Sequence, residues 1–313
     1  MSHQILDMHC DTAYEMAEQH QKLRKNTLQL DLDRMMEFDT YIQVFAAFVD
    51  QKSIRLSPMK HCVSLLENMR HEIKKNRDLV ALIQTKQDLF NVQCNGKVGA
   101  ILSIEGGEAL EGNLDALSMY YQLGVRLITL TWNWSNEIAD GIMEPRGGGL
   151  TDFGKQTVSA MEKMGILIDV SHLSERGFWD VESCTQKPFV ASHSCVKKLC
   201  SHPRNLSDEQ IECLIQRRGG MGINFYPDFL SMNGYCDAEM IVQHMEYVLR
   251  LGGDDILGLG SDFDGVSALP EDIHGVEDLS CLIYKMKEHG FLPNMIDKIL
   301  FHNFYRIWNE TLL

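Results

Sequence analysis

Short apolar runs alternate with amphipathic segments along the whole chain. Eight of these runs predict buried strands: Ile5–Asp11, Tyr41–Val49, Val98–Glu105, Val125–Thr131, Ile166–His172, Pro188–His193, Gly219–Phe225 and Ile256–Asp262. Most are continuously apolar, not alternating, which is typical of parallel strands covered by helices.

The segments between these runs carry helix start and stop signals. Ser57 followed by Pro58 predicts a helix that runs to about Asn76. Other helices are predicted from Asn113 to Leu123, from Thr151 to Gly165, from Asp237 to Gly252, and onward from Ser207 and Pro293. Gln210 stands three residues after Ser207, which is the spacing of a capping box.

The alternation of strands and helices predicts the fold. Eight βα units indicate a (β/α)8 (TIM) barrel that forms a single domain over residues 1–313, with an extended insertion, residues 50–97, between strands two and three. A doubly wound open sheet is the alternative. Its glycine fingerprint is missing, because Gly147–Gly149 follows no predicted strand and precedes no Gly-Lys-Ser/Thr sequence.

Composition narrows the classes of partner and the compartment. The 313 residues include 29 Lys and Arg against 44 Asp and Glu, a formal charge of −15, which disfavours nucleic acid and anionic membranes as partners. The N-terminus resembles no secretory signal, and no apolar stretch is long enough to span a membrane. The nine cysteines form no CxxC pair and are typical of reduced core residues, so we expect a cytoplasmic protein.

Polar residues that bind metals or move protons end five of the predicted strands. They are His9 and Asp11, Glu105, His172, His193 and Asp262. In a barrel the carboxyl ends of the strands converge on one face, which holds the active site. A single histidine or acid at a strand end is more often structural, but that explanation would have to apply separately to several strands of one barrel.

The spacing of these residues predicts a metal centre. His9 and Asp11 are two apart, so both point into the barrel mouth, while Asp7 lies one layer deeper as a supporting residue. Imidazole and carboxylate together suit a zinc-type ion.

The number of ligands predicts two ions. His9 and Asp11 would hold one, and His172 and His193 the other, with Glu105 as the bridge. Asp262 is left as the group that transfers a proton, so the chemistry predicted is hydrolysis of an amide or related carbonyl compound.

The same segments carry a family resemblance. The motifs are D-M-H-C-D at Asp7–Asp11, S-I-E-G-G at Ser103–Gly107, I-D-V-S-H-L-S at Ile168–Ser174, S-H-S at Ser192–Ser194, H-P-R-N-L at His202–Leu206 and G-S-D-F-D-G at Gly260–Gly265. Together and in this order, the motifs make the chain resemble the membrane dipeptidase (renal dipeptidase) family, as a soluble, bacterial-type member.

The resemblance implies a (β/α)8 barrel with two Zn²⁺ ions that hydrolyses dipeptides, including those with a D-residue at the C-terminal position. Mn²⁺ or Co²⁺ could occupy the same ligands. The resemblance implies the same division of the ligands between the two ions, with Glu105 and Asp262 as catalytic residues. It also implies that Arg204 binds the substrate carboxylate, for which a surface helix cap is the alternative role. Tyr226 is a second candidate substrate contact, with a core aromatic as the alternative.

One position departs from the mammalian pattern of the family. Where those enzymes carry a histidine that contacts the scissile carbonyl, this chain has Trp132, followed by Asn133 as a substitute hydrogen-bond donor. A related metal-dependent hydrolase of another small amide, lactone or N-acyl substrate is therefore the alternative function. A metal-bound protein without catalytic activity is a third interpretation.

We expect a small dipeptide as the partner and a symmetric homodimer as the assembly.

Overall fold

The computed structural model describes residues 3–49 and 57–313. Within these ranges there are nine parallel strands: β1 (Gln4–Asp7), β2 (Thr40–Phe48), β3 (Val80–Leu82), β4 (Val98–Glu105), β5 (Val125–Thr129), β6 (Leu167–Asp169), β7 (Val190–Ala191), β8 (Gly220–Ile223) and β9 (Leu257–Leu259). All of them except β3 pair in one closed ring, in which β1 pairs with both β2 and β9. Helices lie between successive strands of the ring, so the predicted (β/α)8 barrel is confirmed.

The thirteen α-helices within the described residues fall between and beyond these strands. They are α1 (Thr12–Glu18), α2 (Leu32–Met35), α3 (Pro58–Lys75), α4 (Lys86–Asn95), α5 (Asp115–Leu123), α6 (Asp152–Met164), α7 (Glu175–Cys184), α8 (Asp208–Gln216), α9 (Pro227–Leu230), α10 (Ala238–Arg250), α11 (Leu279–Glu288), α12 (Pro293–Asp297) and α13 (Asn303–Thr311). One π-helical turn, Lys298–His302, joins α12 to α13. None of the helices in the described ranges is long and apolar enough to cross a membrane.

The predicted helix caps are present. Ser57 accepts a hydrogen bond from the backbone of Lys60 at the start of α3, and Ser207 and Gln210 form both halves of the capping box of α8. Gly165 ends α6 in the left-handed conformation, with a φ of +72°.

The extended insertion between the second and third strands of the barrel contains α3, β3 and α4. Residues 50–56 of the predicted insertion lie outside the described residues. The strand β3 was not predicted, because three residues are too few to establish a pattern. It pairs with Val98–Ala100 at the start of β4 and so widens the sheet at the amino end of the barrel.

The amino end of the barrel is closed by α13. Phe304 packs so closely on β8 and β9 that a Cβ atom at Gly220 or Gly258 would collide with its ring. Trp308 is fully buried, and its Nε1 donates to the sulfur of Met8 at 3.3 Å. These contacts fill the amino end and the interior of the barrel with apolar side chains.

Candidate metal centre

The six polar residues predicted at strand ends all lie at the carboxyl end of the barrel. Glu105 is the last residue of β4, level with Phe48 of β2. The other five follow their strands within a few residues: His9 and Asp11 after β1, His172 after β6, His193 after β7 and Asp262 after β9. All six are buried.

Several observed strands are shorter than predicted, because the backbone stops pairing with the neighbouring strand before it reaches the polar residue of the site. β6 was predicted to reach His172 but ends at Asp169, and β9 ends before Asp262. His172 and Asp262 have φ angles of +65° and +62°. Such angles are uncommon in residues with a side chain and cluster at functional sites. They turn these two side chains toward the barrel mouth.

One half of the cluster surrounds His9. Its Nε2 lies 3.6 Å from Oδ2 of Asp11, 3.4 Å from Oε2 of Glu105 and 3.7 Å from Oδ1 of Asp262. No hydrogen bond reaches either ring nitrogen of His9 or Oδ1 of Asp11 from the described residues, although these atoms are buried.

The other half surrounds the second oxygen of Glu105. Oε1 lies 3.0 Å from Nε2 of His172 and 3.5 Å from Nε2 of His193, and the two imidazole nitrogens are 2.9 Å apart. The two oxygens of Glu105 therefore face two different sets of ligands.

The hydrogen bonds behind the imidazoles show which nitrogens are free to bind a cation. Nδ1 of His172 lies 2.9 Å from Oδ1 of Asn133, which accepts the proton there and leaves the lone pair of Nε2 facing Glu105. This lone pair and the carboxylate oxygen Oε1 of Glu105 then point at each other, 3.0 Å apart. Groups that only accept hydrogen bonds come this close in a protein interior when a cation lies between them. The donor set of imidazole nitrogens and carboxylate oxygens fits a zinc-type ion.

The electrostatics of the cluster agree with cation binding. Burial lowers the pKa of His172 to about 4, assisted by the charge of Arg204, and burial with the charge of His9 lowers the pKa of His193. Both imidazoles are then neutral at pH 7, as metal ligands must be. Burial alone would raise the pKa of Glu105, but the charge of His9 holds it well below its usual value.

The two aspartates behave differently. Burial and the charge of Glu105 raise the pKa of Asp11 to about 7, and burial raises the pKa of Asp262 despite the opposing charge of His9. The cluster therefore holds more negative groups than it can keep ionised without a compensating cation. Asn224, which sequence reasoning missed, donates from Nδ2 to Oδ2 of Asp262 at 2.9 Å and orients it.

A cavity of about 410 Å³ opens onto this cluster. Trp132 forms part of its wall, with its ring 5.2 Å from Phe48, edge to face, and 6.2 Å from His172. Tyr226 also lines the cavity and packs on Phe229, at a ring distance of 5.0 Å. Asn133 lies at the wall too, but its Oδ1 is directed at His172.

Arg204 is buried behind the cluster, not on the wall of the main cavity. It lines a small adjoining cavity with His172, and its Nη2 donates to the backbone oxygen of His193 at 3.1 Å. Among the described residues, its Nε has no hydrogen-bond partner and no carboxylate lies within 4.0 Å of the guanidinium, whose Nη1 donates to Oγ of Ser194 at 3.5 Å. Burial lowers the pKa of Arg204, while the charges of Asp262 and Glu105 oppose that shift.

Sequence reasoning also missed two buried residues behind the site, Asp169 and Ser192. Asp169 accepts hydrogen bonds from Thr129, Ser171 and Ser192, which lie on or just after three neighbouring strands. The sequence contained a signal for Asp169, because it interrupts the apolar run Ile166–Val170 and charged residues are seldom fully buried without a partner.

The chain is similar in sequence and in structure to known dipeptidases. A sequence profile of the membrane dipeptidase family, peptidase family M19, matches residues 1–312. An uncharacterised dipeptidase of Schizosaccharomyces pombe is 30% identical over 99% of this chain and 80% of its own length.

Two solved structures share the fold over nearly their whole length. The metallopeptidase dipeptidase AC, of family M19, is 26% identical with a TM-score of 0.91, covering 100% of this chain and 99% of its own. A metallopeptidase of Rhodobacter sphaeroides, bound to a phosphinate mimic of L-Ala-D-Ala, is 25% identical with a TM-score of 0.90, covering 99% of this chain and 100% of its own. The chain belongs to the membrane dipeptidase family, peptidase family M19.

Proposed function

We propose that this protein hydrolyses dipeptides at a dinuclear zinc centre. The observation that carries the proposal is the position of Glu105, whose Oε2 faces His9 at 3.4 Å while its Oε1 faces His172 at 3.0 Å. His9 and Asp11 would hold one ion, His172 and His193 the other, and Glu105 would bridge them. Two such ions, when bound, polarise the scissile carbonyl and activate the attacking water.

The residues around the centre have complementary roles in this proposal. Asp262, oriented by Asn224, takes the proton of the attacking water and delivers it to the leaving amine. Burial raises its pKa above the usual value, which strengthens it as a proton acceptor. Arg204, a buried guanidinium without a carboxylate partner among the described residues, lines the small cavity that adjoins the main one at His172 and would bind the carboxylate of the substrate there.

The cavity favours a substrate with a free amino group. Glu15 and Asp264 add two carboxylates to the wall near Asp11, so that side of the cavity is acidic. A cationic amine is attracted there, whereas an acylated amine loses this interaction. Trp132 and Tyr226 supply the apolar surface against which small side chains pack.

The stereochemistry of the substrate is part of the proposal. The Rhodobacter sphaeroides relative is bound to a mimic of L-Ala-D-Ala, which supports a D-residue at the C-terminal position here as well.

The cytoplasmic location and the homodimer expected from the sequence stay predictions.

A substrate panel tests the activity. The zinc-loaded protein should hydrolyse L-Ala-L-Ala or L-Ala-D-Ala and lose that activity with a chelator. N-acetyl-L-Ala-L-Ala and simple lactones should be turned over far more slowly. A preference for lactones or N-acyl amino acids would support the alternative hydrolase, and the absence of turnover across L,L and L,D dipeptides with two metal equivalents confirmed would contradict the proposal.

The role of Asp262 is tested by Asp262→Asn. We expect kcat to fall by about 10²–10⁴-fold with the metal content unchanged, because the variant loses proton transfer and keeps the ligands. Asp297→Asn, at a half-exposed carboxylate near the amino end of the barrel, is the matched control and should retain wild-type activity. Equal activity of both variants would exclude Asp262 as the proton-transfer group.

A further inference from the structure

Two buried aspartates hold the ends of the barrel strands in the same way. Oδ1 of Asp7 accepts hydrogen bonds from the backbone of His9 at 3.2 Å and of Ser261 at 3.0 Å. Oδ1 of Asp169 accepts from the backbone of Ser171 at 3.0 Å and of Ser192 at 2.9 Å. In both cases the aspartate binds the amide two residues ahead and an amide of a neighbouring strand.

The register of the two arrangements is also the same. Asp7 pairs with Leu259, and Ser261 stands two residues further along. Asp169 pairs with Val190, and Ser192 stands two residues further along. Each serine directly precedes a residue of the site, Asp262 in one case and His193 in the other.

The two arrangements differ at the second carboxylate oxygen. Oδ2 of Asp7 has no hydrogen-bond partner among the described residues. Oδ2 of Asp169 accepts the hydroxyl of Ser192 at 2.6 Å and the hydroxyl of Thr129 at 2.7 Å. Among the described residues, only the arrangement around Asp169 is hydrogen-bonded to an imidazole of the site, because Oγ of Ser192 lies 2.7 Å from Nδ1 of His193.

The direction of these hydrogen bonds follows from the chemistry of the groups. A carboxylate oxygen accepts, so the hydroxyl proton of Ser192 points at Asp169. The serine oxygen can then only accept from His193, which places the imidazole proton on Nδ1. The lone pair of Nε2 is thereby directed at Glu105, 3.5 Å away.

We propose that Asp169 is a positioning residue that sets the tautomer and orientation of His193 through the hydroxyl of Ser192. The inference rests on the proposed metal centre. It assigns to the His172–His193 half a hydrogen-bonded support that the imidazole of His9 does not have among the described residues. Loss of the Ser192 hydroxyl should weaken metal binding at that half by about 10- to 100-fold, the usual effect of deleting a hydrogen bond behind a metal ligand.

The test compares Ser192→Ala with Thr129→Val. Each variant removes one hydroxyl from Oδ2 of Asp169, so both should lower the unfolding temperature by a similar amount. Only Ser192→Ala also removes the contact with His193. Co²⁺ affinity is measured by competition with a chromophoric chelator, together with the visible spectrum of the Co²⁺-loaded protein.

We expect Ser192→Ala to lose affinity at one of two Co²⁺ sites and to change the spectrum, while Thr129→Val binds Co²⁺ like the wild type. Two unaltered sites in Ser192→Ala, or equal losses in both variants, would overturn this inference and leave the proposed function standing. A wild-type protein that takes up no Co²⁺ would overturn both. Asp169→Asn, if it folds, should reproduce the Ser192→Ala spectrum.

Discussion

At the scale of single residues, the loop after β9 brings its backbone against two carboxylates of the site. A Cβ atom at Gly265 would collide with Oδ2 of Asp11 and Oδ1 of Asp262. The lack of a side chain at this position therefore leaves the space that a proposed metal ligand and the proposed proton-transfer group occupy.

Gly265→Ala should consequently impair catalysis more than folding. We expect kcat/KM for L-Ala-L-Ala to fall by about 100-fold, because displacing reacting groups by about 1 Å commonly has that effect. Ala268→Ser, at an exposed position of the same loop, is the control and should behave like the wild type. Wild-type kinetics in Gly265→Ala would show that the two carboxylates tolerate displacement.

The guanidinium of Arg204, which has no carboxylate partner among the described residues, gives a prediction about substrate binding. Arg204→Met should raise KM for L-Ala-L-Ala by about 10- to 150-fold, since a hydrogen bond to a charged group contributes about 1.5–3 kcal/mol. L-Ala-L-alaninamide, which lacks the carboxylate, should be affected little. Steady-state kinetics on both substrates measure the difference.

Arg126→Met is a suitable control for Arg204→Met, since Arg126 is also buried but donates to backbone oxygens away from the site. It should lower stability without changing the ratio of the two KM values. Equal changes for the dipeptide and its amide in Arg204→Met would contradict carboxylate recognition.

The identity of the residues at the site could be predicted from the sequence, whereas the orientation of several side chains could not. His9, Glu105 and His193 follow directly from polar residues at the ends of apolar runs. Oδ1 of Asn133 is directed at His172, and Arg204 lies behind the wall of the main cavity. Such orientations depend on left-handed backbone angles and on contacts between distant segments, which residue periodicity does not encode.

At the scale of secondary-structure elements, His289 joins α11 to α10. It follows the end of α11, with Nε2 2.7 Å from Oε1 of Glu239 and Nδ1 3.1 Å from Oε1 of Glu246, both on α10. Hydrogen bonds to Glu246 and Glu239 raise the pKa of His289 above its usual value. The contact thus favours the protonated imidazole in the folded state.

The stability from this contact should depend on pH in a defined direction. Because the pKa is higher in the folded than in the unfolded state, the contribution is complete below about pH 6.5 and is lost as the pH rises through the folded-state value. We expect His289→Gln to lower Tm by about 1–2 °C at pH 5.5–6 and by less at pH 9. Thermal unfolding of both proteins across this range tests the prediction, which a constant or growing difference toward pH 9 would contradict.

Elements with several independent signals were predicted well. The helix α8 has a capping box at Ser207, and α3 begins at Ser57-Pro58, so each start is marked by more than one residue. The short strand β3 has no such marks. Its position is decided by pairing with β4, a contact between distant parts of the chain that no local pattern reveals.

At the scale of the whole molecule, the barrel separates an apolar end from a charged one. The amino end is filled by α13 and Trp308, whereas six polar groups meet at the carboxyl end. Those groups come from β1, β4, β6, β7 and β9, so a metal centre there would join strands from opposite sides of the ring. Metal binding should therefore stabilise the barrel as a unit.

Removal of the metals should lower the unfolding temperature substantially. A ligand present at 1,000 times its Kd stabilises the folded state by about 4 kcal/mol per site. At about 2–4 °C per kcal/mol, the zinc-loaded protein should unfold about 10 °C or more above the chelator-treated protein. Calorimetry of both forms, with metal analysis of the loaded form, measures the difference and the number of ions.

A substitution at the opposite end distinguishes stabilisation by the metals from a general change in the barrel. Ile307→Val trims a buried side chain of α13 that packs on Gly220, at the start of β8, and should lower Tm by the same amount in both forms, since distant effects add. Asp11→Asn should instead reduce the difference between the forms, because it removes a proposed ligand. If the loaded and metal-free proteins unfold at the same temperature, with two ions bound in the loaded form, the metals do not hold the ring together and stability resides in the apolar core alone.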